Sequence, residues 1–432
     1  MDFRGKKAAF YTLGCKLNFA ETSAIARQFE SKGAERVDFK TDADIYVIHS
    51  CSVTAESDKK CRNIIRQSIK RNPKALILVT GCYAQLQPRV IEKIKGIDFI
   101  FGTNYKFRMM DYIYSMDKQP SPVILVKDQK QNREYFHATS WGDRTRSFLK
   151  VQDGCDNFCT YCTIPIARGR SRNDTIEGTV RESSKAIEHG IKEIILTGVN
   201  IGDFGKSTNE KFIDLIKALD KTDIGRLRIS SVEPDLLTDE IIDFVGSSNH
   251  IAPHFHIPLQ CGSNEVLKLM HRHYTRELFK ERVERIKREL PDAFIGVDLI
   301  AGTNGETKKL FEESYNFIES LDVSQLHCFP YSERPDTAAL SIKPVIPVHE
   351  RKERTKKLIA LSDIKLRDFY NKQTGKTVTV LFEEPEKGKM KGFSENYIRV
   401  ETDSNPGFIN QFRKVKLLRI NSEGNFEIKI IE

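Results

Sequence analysis

The run Gly154-Cys-Asp-Asn-Phe-Cys-Thr-Tyr-Cys-Thr163 is the most informative feature of the sequence, because it places Cys155, Cys159 and Cys162 on one short loop. Thiolates at this C-x3-C-x2-C spacing can bind three irons of a four-iron cluster. No fourth cysteine follows nearby, so the spacing predicts one iron that is open to a further ligand. An electron-transfer cluster does not need an open iron, whereas a cluster that binds and activates a cofactor does.

This loop resembles the signature of the radical S-adenosylmethionine (SAM) superfamily, including an aromatic residue, Tyr161, directly before the third cysteine. The alternatives are a zinc site or unrelated core thiols, but zinc sites usually carry paired C-x2-C units. The resemblance implies that the three cysteines hold a [4Fe-4S] cluster and that SAM binds beside it.

The composition is that of an ordinary globular protein. The chain has 432 residues, of which 39% are hydrophobic and 30% are charged, enough for about two to four domains. Nine cysteines are too few for a disulfide scaffold and indicate reduced thiols in the cytoplasm. We expect no secretory signal and no membrane span. The net charge of +9 is compatible with an RNA partner but does not require one.

Residues 1–140 are predicted to form an open α/β domain with a parallel sheet, because short apolar runs alternate with polar helical stretches. The predicted strands are Ala8–Leu13, Ile45–His49 and Leu76–Thr80, and the predicted helices include Glu21–Lys32 and Ser57–Arg71. Cys15, Cys51 and Cys82 each follow one of these strands. Since such sheets bind ligands beyond the carboxyl ends of their strands, the three thiols can converge there. From the residues alone, a second metal site and three buried thiols remain equally open.

Residues 141–345 are predicted to form a partial (β/α)6 barrel, whose functional face lies at the carboxyl ends of its strands. The predicted strands are Phe148–Gln152, Glu193–Thr197, Arg226–Ser231, His254–Leu259, Ala293–Ile300 and Gln325–Tyr331. The predicted helices between them include Thr175–His189, Lys211–Leu219, Arg276–Leu290 and Thr307–Leu321. The cysteine loop follows the first strand and is therefore expected on the functional face.

Polar and glycine residues at successive strand ends of this barrel indicate a cofactor site of about the size of SAM. Each of them alone is more typical of a turn. The candidates are Thr197, Gly198 and Asn200 after the second strand, Ser231 and Glu233 after the third, and Gln260 after the fourth.

The remaining sequence predicts a linker helix over residues 346–371 and a small all-β barrel over residues 372–432. Predicted strands are Thr377–Phe382, Tyr397–Val400, Val415–Ile420 and Phe426–Ile431. The last unit interleaves basic and aromatic residues, a pattern that suits RNA but more often is a solvated face over a core.

Several motifs together resemble the methylthiotransferase family of radical SAM enzymes over essentially the whole chain. They are Thr12-Leu-Gly-Cys-Lys-Leu-Asn18, Ser50-Cys-Ser-Val-Thr54, Thr80-Gly-Cys-Tyr-Ala-Gln85, the cysteine loop through Pro165, Arg168-Gly-Arg170, His256-Ile-Pro-Leu-Gln260 and Pro330-Tyr-Ser-Glu-Arg334. The resemblance implies an auxiliary [4Fe-4S] cluster on Cys15, Cys51 and Cys82, and a terminal TRAM-type RNA-binding barrel. It also implies an external electron donor.

Within that family, Gly14-Cys15-Lys16-Leu17-Asn18 resembles the branch that modifies threonylcarbamoyl adenosine at position 37, in the anticodon loop of tRNA. The implied reaction adds a methylthio group to adenine C2 and consumes two SAM. Methylthiolation of isopentenyl adenosine, or of an aspartate in a ribosomal protein, are alternatives, as is a non-catalytic iron–sulfur RNA-binding protein. Two departures from the family pattern are His49-Ser50 before Cys51, where Asn-Thr is usual, and Asp336, where Gly is usual.

Overall fold

The computed structural model describes residues 1–130, 132–142 and 144–431. The first unit is built on a six-stranded parallel sheet with the strand order β2-β1-β3-β4-β5-β6. Its central strands β3 and β4 are apolar and fully buried, as parallel strands covered by helices on both faces require. The elements are β1 (Lys7–Thr12), α1 (Lys16–Ser31), β2 (Glu35–Val37), β3 (Ile45–Ser50), α2 (Ala55–Arg71), β4 (Leu76–Gly81), α3 (Cys82–Leu86), α4 (Pro88–Glu92), β5 (Phe99–Phe101) and β6 (Val123–Leu125).

The second unit contains six further strands in two three-stranded parallel sheets, β7-β8-β9 and β10-β11-β12. Isolated parallel bridges, Leu227 with Ile251 and Ser231 with His256, join the two sheets, so the strands follow one another in chain order. The elements are β7 (Arg146–Lys150), α5 (Ile164–Arg168), α6 (Ile176–Glu188), β8 (Glu193–Thr197), α7 (Phe212–Asp220), β9 (Arg226–Ile229), α8 (Asp239–Ser247), β10 (His254–Gln260), α9 (Asn264–Leu269), α10 (Arg276–Glu289), β11 (Phe294–Ala301), α11 (Lys308–Ser320) and β12 (Gln325–Pro330).

A long helix, α12 (Val348–Asn371), leads into a closed five-stranded barrel with the order β13-β14-β15-β17-β16. Its strands are β13 (Thr377–Phe382), β14 (Lys389–Ser394), β15 (Arg399–Asp403), β16 (Phe412–Ile420) and β17 (Phe426–Ile430). The three-part α/β architecture predicted from the sequence is confirmed. The sequence did not predict β14, whose lysines and glycine suggest a turn. The strand predicted from Tyr397 begins instead at Arg399, because Tyr397 has a left-handed φ of 66°.

The terminal barrel docks against the amino-terminal ends of β8 and β9. Arg226 donates a hydrogen bond to the Thr379 carbonyl at 2.6 Å, and Arg228 donates one to the Ser394 carbonyl at 3.1 Å. Both guanidinium groups are buried and pair with Glu193 at 3.1 and 3.0 Å. The terminal barrel therefore sits at the end of the strands opposite the cysteine loop. Within the described part of the chain, no helix has the length and apolar character to cross a membrane.

Candidate functional site

The cysteine loop between β7 and α5 presents three thiols at the carboxyl end of the second unit. Cys159 is buried, and Cys155 and Cys162 are half-buried. Backbone N–H groups of Asn157 and Ile164 point at the Sγ atoms of Cys155 and Cys162, each at 3.5 Å. Burial raises the pKa of Cys155 and Cys162 to about 12, and repulsion from the other thiols of the loop adds to the rise. A metal cluster that binds the thiolates would supply the missing positive charge.

These three cysteines line a cavity of about 310 Å³, within the usual size range of cofactor pockets. Four of the seven predicted cofactor-binding residues line the same cavity: Tyr161, Asn200, Glu233 and Gln260. Their presence on one surface follows from their positions after successive parallel strands, whose carboxyl ends meet at one edge.

Asn200 carries the clearest sign of a ligand. Its side chain lines the cavity, is 3% exposed, and leaves both Oδ1 and Nδ2 without a hydrogen-bond partner. Its backbone N–H is already satisfied by Gln152 Oε1 at 2.9 Å. Burying an amide without hydrogen-bond partners costs free energy unless a bound molecule supplies those partners. The site therefore fits a polar cofactor such as SAM.

The other three predicted cofactor-binding residues lie beside the cavity rather than on its lining. The Thr197 carbonyl accepts a hydrogen bond from Val151 at 2.9 Å. Gly198 packs so closely that a Cβ would lie 2.9 Å from the Gln152 carbonyl. Ser231 reaches the site through His256, which bonds Ser231 Oγ at 2.7 Å and Asp298 of the cavity lining at 2.9 Å. Direct contact of Thr197, Gly198 or Ser231 with SAM stays a prediction.

Arg272 belongs to this site and was missed by the sequence reasoning. It lines the cavity, donates a hydrogen bond to Cys159 Sγ at 3.0 Å, and forms an ion pair with Glu233. Its Nε donates to the Tyr274 hydroxyl at 3.1 Å. Arg272 lies after α9, more than a hundred residues from Cys159, and no local spacing links the two.

The second set of thiols lies at the carboxyl ends of β1, β3 and β4, which are neighbours in the first sheet. Cys51 and Cys82 are buried, and Cys15 is exposed. Burial raises the pKa of Cys51 to about 12, with further contributions from the charges of Cys82 and Cys15. The three thiols therefore lie within electrostatic range of one another, as their positions after the strands predict.

Two glycines allow this convergence. Gly14 and Gly81 precede Cys15 and Cys82, and both have a φ of 98°, a conformation that side-chain-bearing residues rarely adopt. A Cβ at Gly14 would lie 2.8 Å from Cys51 Sγ, and one at Gly81 would lie 2.4 Å from the Ser50 carbonyl. Any larger residue would push the loops of the three cysteines apart.

The chain that follows Cys51 reaches the cavity of the cysteine loop. Val53 and Thr54, which follow Cys51, line the same cavity as the cysteine loop. The charge of Cys82 also contributes to the raised pKa of Cys162, behind burial and Cys159. In the described ranges, no three His, Cys, Asp or Glu side chains are close enough to hold a single metal ion.

Comparison with known proteins finds a family match in each of the first two units. The model of the Radical SAM superfamily matches residues 149–318, and that of Uncharacterized protein family UPF0004 matches residues 7–102. The structure resembles the radical S-adenosylmethionine methyltransferase TsrM from Kitasatospora setae with a TM-score of 0.56 at 14% identity, covering 75% of this chain and 73% of that one. This likeness concerns the fold. The fold and the cysteine loop thus define a radical SAM enzyme, with iron–sulfur and SAM chemistry.

Full-length relatives specify the family. The chain is 39% identical to the threonylcarbamoyladenosine tRNA methylthiotransferase MtaB of Bacillus subtilis, over 98% of this chain and 97% of the relative. It is 36% identical to the MtaB of Aquifex aeolicus, over 92% and 97%. It is 28% identical to the tRNA-2-methylthio-N(6)-dimethylallyladenosine synthase of Clostridium tetani, over 96% and 95%. The chain belongs to the radical SAM methylthiotransferase family.

Proposed function

We propose that this enzyme adds a methylthio group to C2 of N6-threonylcarbamoyladenosine at position 37 of tRNA, using two [4Fe-4S] clusters and two SAM. The observation that carries the proposal is the placement of one set of cysteines on the cavity and of the chain next to the other set on the same cavity: Cys155, Cys159 and Cys162 line it, and so do Val53 and Thr54, which follow Cys51. One set suits a cluster that activates SAM, and the other suits a cluster that provides sulfur.

The choice of adenosine is supported by the relatives and by the first motif. Five MtaB proteins are 32–39% identical to this chain, whereas three dimethylallyladenosine synthases are 28–29% identical. Gly14-Cys15-Lys16-Leu17-Asn18 points to the same branch. In the structure Asn18 of this motif donates hydrogen bonds to the carbonyls of Leu13 and Ser50 at 2.8 and 3.2 Å, so it holds the Cys15 and Cys51 loops together.

Separate residues of the chain have separate roles in the proposed reaction. Cys155, Cys159 and Cys162 would hold a [4Fe-4S] cluster that, together with SAM and an external electron donor, supplies the radical needed to remove hydrogen from an unactivated C–H bond. Asn200 would bind polar groups of SAM with its unpartnered amide. Arg272 holds Glu233 and the Cys159 loop in fixed positions. Cys15, Cys51 and Cys82 would hold the auxiliary cluster beside the same cavity.

The terminal barrel suits an RNA partner. Its exposed basic residues include Lys387, Lys389, Lys416 and Arg419, and such groups bind phosphates without reading sequence. Because it docks at the far end of the β8 and β9 strands, it can hold the body of a tRNA while the anticodon loop reaches the cavity. Bases in that loop are already unpaired, so presenting one costs little free energy.

The proposal is tested by following SAM in the reconstituted, reduced protein. With tRNA that carries threonylcarbamoyladenosine, we expect both 5′-deoxyadenosine and S-adenosylhomocysteine, since one SAM is cleaved and the other gives its methyl group. The Cys51→Ala variant should still form 5′-deoxyadenosine while forming no methylthiolated tRNA. A reduced parent protein that carries its clusters and forms neither SAM product with this tRNA contradicts the proposal.

A further inference from the structure

A buried ion cluster joins the first unit to the second. It consists of Glu21, Lys106, Lys150, Asp153, Arg168 and Arg172, all at most 5% exposed. Glu21 Oε1 accepts from Lys106 at 2.6 Å and from Lys150 at 3.0 Å, and Glu21 Oε2 accepts from Arg168 at 3.0 Å. Glu21 and Lys106 come from the first unit, and the other four members come from the second.

Arg168, the last residue of α5, lies at the centre of this ion cluster. Its guanidinium donates to Asn18 Oδ1 at 2.6 Å, to Glu21 Oε2 at 3.0 Å and to Asp153 Oδ1 at 2.9 Å. Arg172 and Lys150 bond the other oxygen of Asp153, at 3.1 and 2.8 Å. One arginine of the second unit therefore bonds directly to the helix that follows Cys15.

The ion cluster carries more positive than negative charge. Despite burial, Arg168 and the lysines hold the pKa of both Glu21 and Asp153 well below the usual range, so both are ionised. Burial lowers the pKa of Lys106 to about 8, which leaves this lysine charged near pH 7. Four cations thus face two carboxylates. Within residues 1–130, 132–142 and 144–431, no third carboxylate contacts these cations.

Such an excess is costly in a buried site unless an anion balances it. The thiols of the first unit are candidates, because hydrogen bonds join the ion cluster to their loops. Asn18, which accepts from Arg168 at 2.6 Å, donates to the Ser50 carbonyl at 3.2 Å, directly before Cys51, and Ser50 Oγ accepts from the backbone N–H of Ala84 at 3.1 Å, two residues after Cys82. Through Asn18 and Ser50, Arg168 is thus joined by hydrogen bonds to the loops that carry this set of thiols.

We propose that the buried ion cluster is the counter-charge of the auxiliary iron–sulfur cluster, and that Arg168 is its central positioning residue. The inference rests on the proposed ligand set Cys15, Cys51 and Cys82. Three thiolates outweigh the charge of a [4Fe-4S]2+ core, so the assembled cluster is anionic, and an anionic sulfur ligand on the open iron makes it more so. The excess of buried positive charge has the sign and the position to balance it.

The arrangement makes the auxiliary site a product of both units. The first unit contributes Asn18, Glu21 and Lys106 to these contacts. The second unit contributes four residues from β7 and the region of the cysteine loop: Lys150, Asp153, Arg168 and Arg172. The full counter-charge exists only where the two units are docked. The same contacts fix the distance between the two sets of cysteines.

The test is the reduction midpoint potential of the auxiliary cluster, followed by electron paramagnetic resonance. It uses the full chain with Cys155, Cys159 and Cys162 replaced by alanine, so that one cluster is observed. Removing a positive charge makes reduction harder, so Arg168→Met should lower the potential. Removing a negative charge makes reduction easier, so Glu21→Gln should raise the potential. Arg168→Lys keeps the charge and should stay closer to the parent than Arg168→Met.

Arg228→Met is the matched control, because Arg228 is another buried arginine that joins two units but contacts Glu193 and no thiol. Its potential should equal that of the parent. A purely structural role predicts that Arg168→Met and Glu21→Gln move the potential in the same direction or not at all, and either result overturns the inference. If Arg168→Met retains no iron, the potential of Glu21→Gln tests the inference alone: a rise supports it, and a fall or no change overturns it. A parent background that binds no cluster contradicts the ligand set itself.

Discussion

Arg272 donates a hydrogen bond to Sγ of Cys159 at 3.0 Å, although the two residues lie on different loops of the second unit. The same guanidinium pairs with Glu233 after β9 and contacts the Tyr274 ring at 4.8 Å. A charged donor on a cysteine ligand stabilises the thiolate and fixes its direction. Arg272 therefore links the cysteine loop to the rest of the cavity wall.

Replacing Arg272 by methionine should lower the rate of SAM cleavage by about 10–100-fold, the usual range for partners of metal ligands. The measurement is 5′-deoxyadenosine formation at matched iron content. Arg276→Met is the control, because Arg276 pairs with Glu277 and Glu313 at the surface and contacts no thiol. Equal rates for the parent and the Arg272 variant would refute the role assigned to this contact.

The two sets of cysteines should separate the two halves of the reaction. Cys159→Ala removes a proposed ligand of the cluster that activates SAM, so SAM cleavage should fall to background. Cys51→Ala should leave cleavage intact and abolish the methylthiolated nucleoside. The products are quantified by liquid chromatography from one reaction mixture. Full methylthiolation by either variant would exclude the assigned roles. The control is Cys61→Ala, in helix α2, which should retain activity.

Asn200→Ala should weaken SAM binding without weakening the fold. In the SAM-free protein the Asn200 side chain has no hydrogen-bond partner to lose, so the thermal midpoint should stay the same or rise. In the complex, losing one or two hydrogen bonds should cost about tenfold in SAM affinity. Isothermal titration and thermal unfolding check the two expectations together. A large fall in the thermal midpoint with unchanged affinity would show a structural role instead.

The docking of the terminal barrel should weaken in mild acid through His254. This ring stacks on Phe294 and lies tilted against Tyr397, with centroids 5.5 and 4.6 Å away. Burial, with a contribution from Arg228, holds the pKa of His254 well below 6.5. The folded protein keeps His254 neutral while the unfolded chain takes up a proton below about pH 6.5, so stability is lost as the pH falls.

The expected loss is about 1.4 kcal/mol per pH unit below pH 6.5 from this one group. Urea unfolding curves at pH 7.0 and 5.5 measure it. The His254→Phe variant keeps the ring stack and cannot be protonated, so its stability should change less between these pH values. An identical pH dependence in the variant and the parent would show that other groups are responsible.

The backbone layout was predictable wherever hydrophobic periodicity was strong. The strand Glu193–Thr197 was predicted with its exact bounds, since five consecutive buried residues leave little choice. Strand β14 was not, because Lys389, Lys391 and Gly392 resemble a loop and acquire their strand conformation from pairing with β13 and β15.

The site was predictable where chemistry follows sequence position. Asn200 and Glu233 lie within four residues of the ends of the parallel strands β8 and β9, and both line the cavity. Arg272 and the ion cluster around Arg168 were not predictable, because their partners are distant in sequence and meet only in the folded chain. The unusual Asp336 has a structural basis, since its φ of 60° lies in the region that glycine adopts freely and aspartate tolerates.

The most direct test of the central claim is the mass of the nucleosides from tRNA treated with the reconstituted, reduced protein and SAM. One reaction contains tRNA with threonylcarbamoyl adenosine and tRNA with isopentenyl adenosine in equal amounts. We expect a methylthio group on the threonylcarbamoyl nucleoside alone, and none with the Cys51→Ala variant. A methylthio group on the isopentenyl nucleoside, or on neither nucleoside while SAM is cleaved, would contradict it.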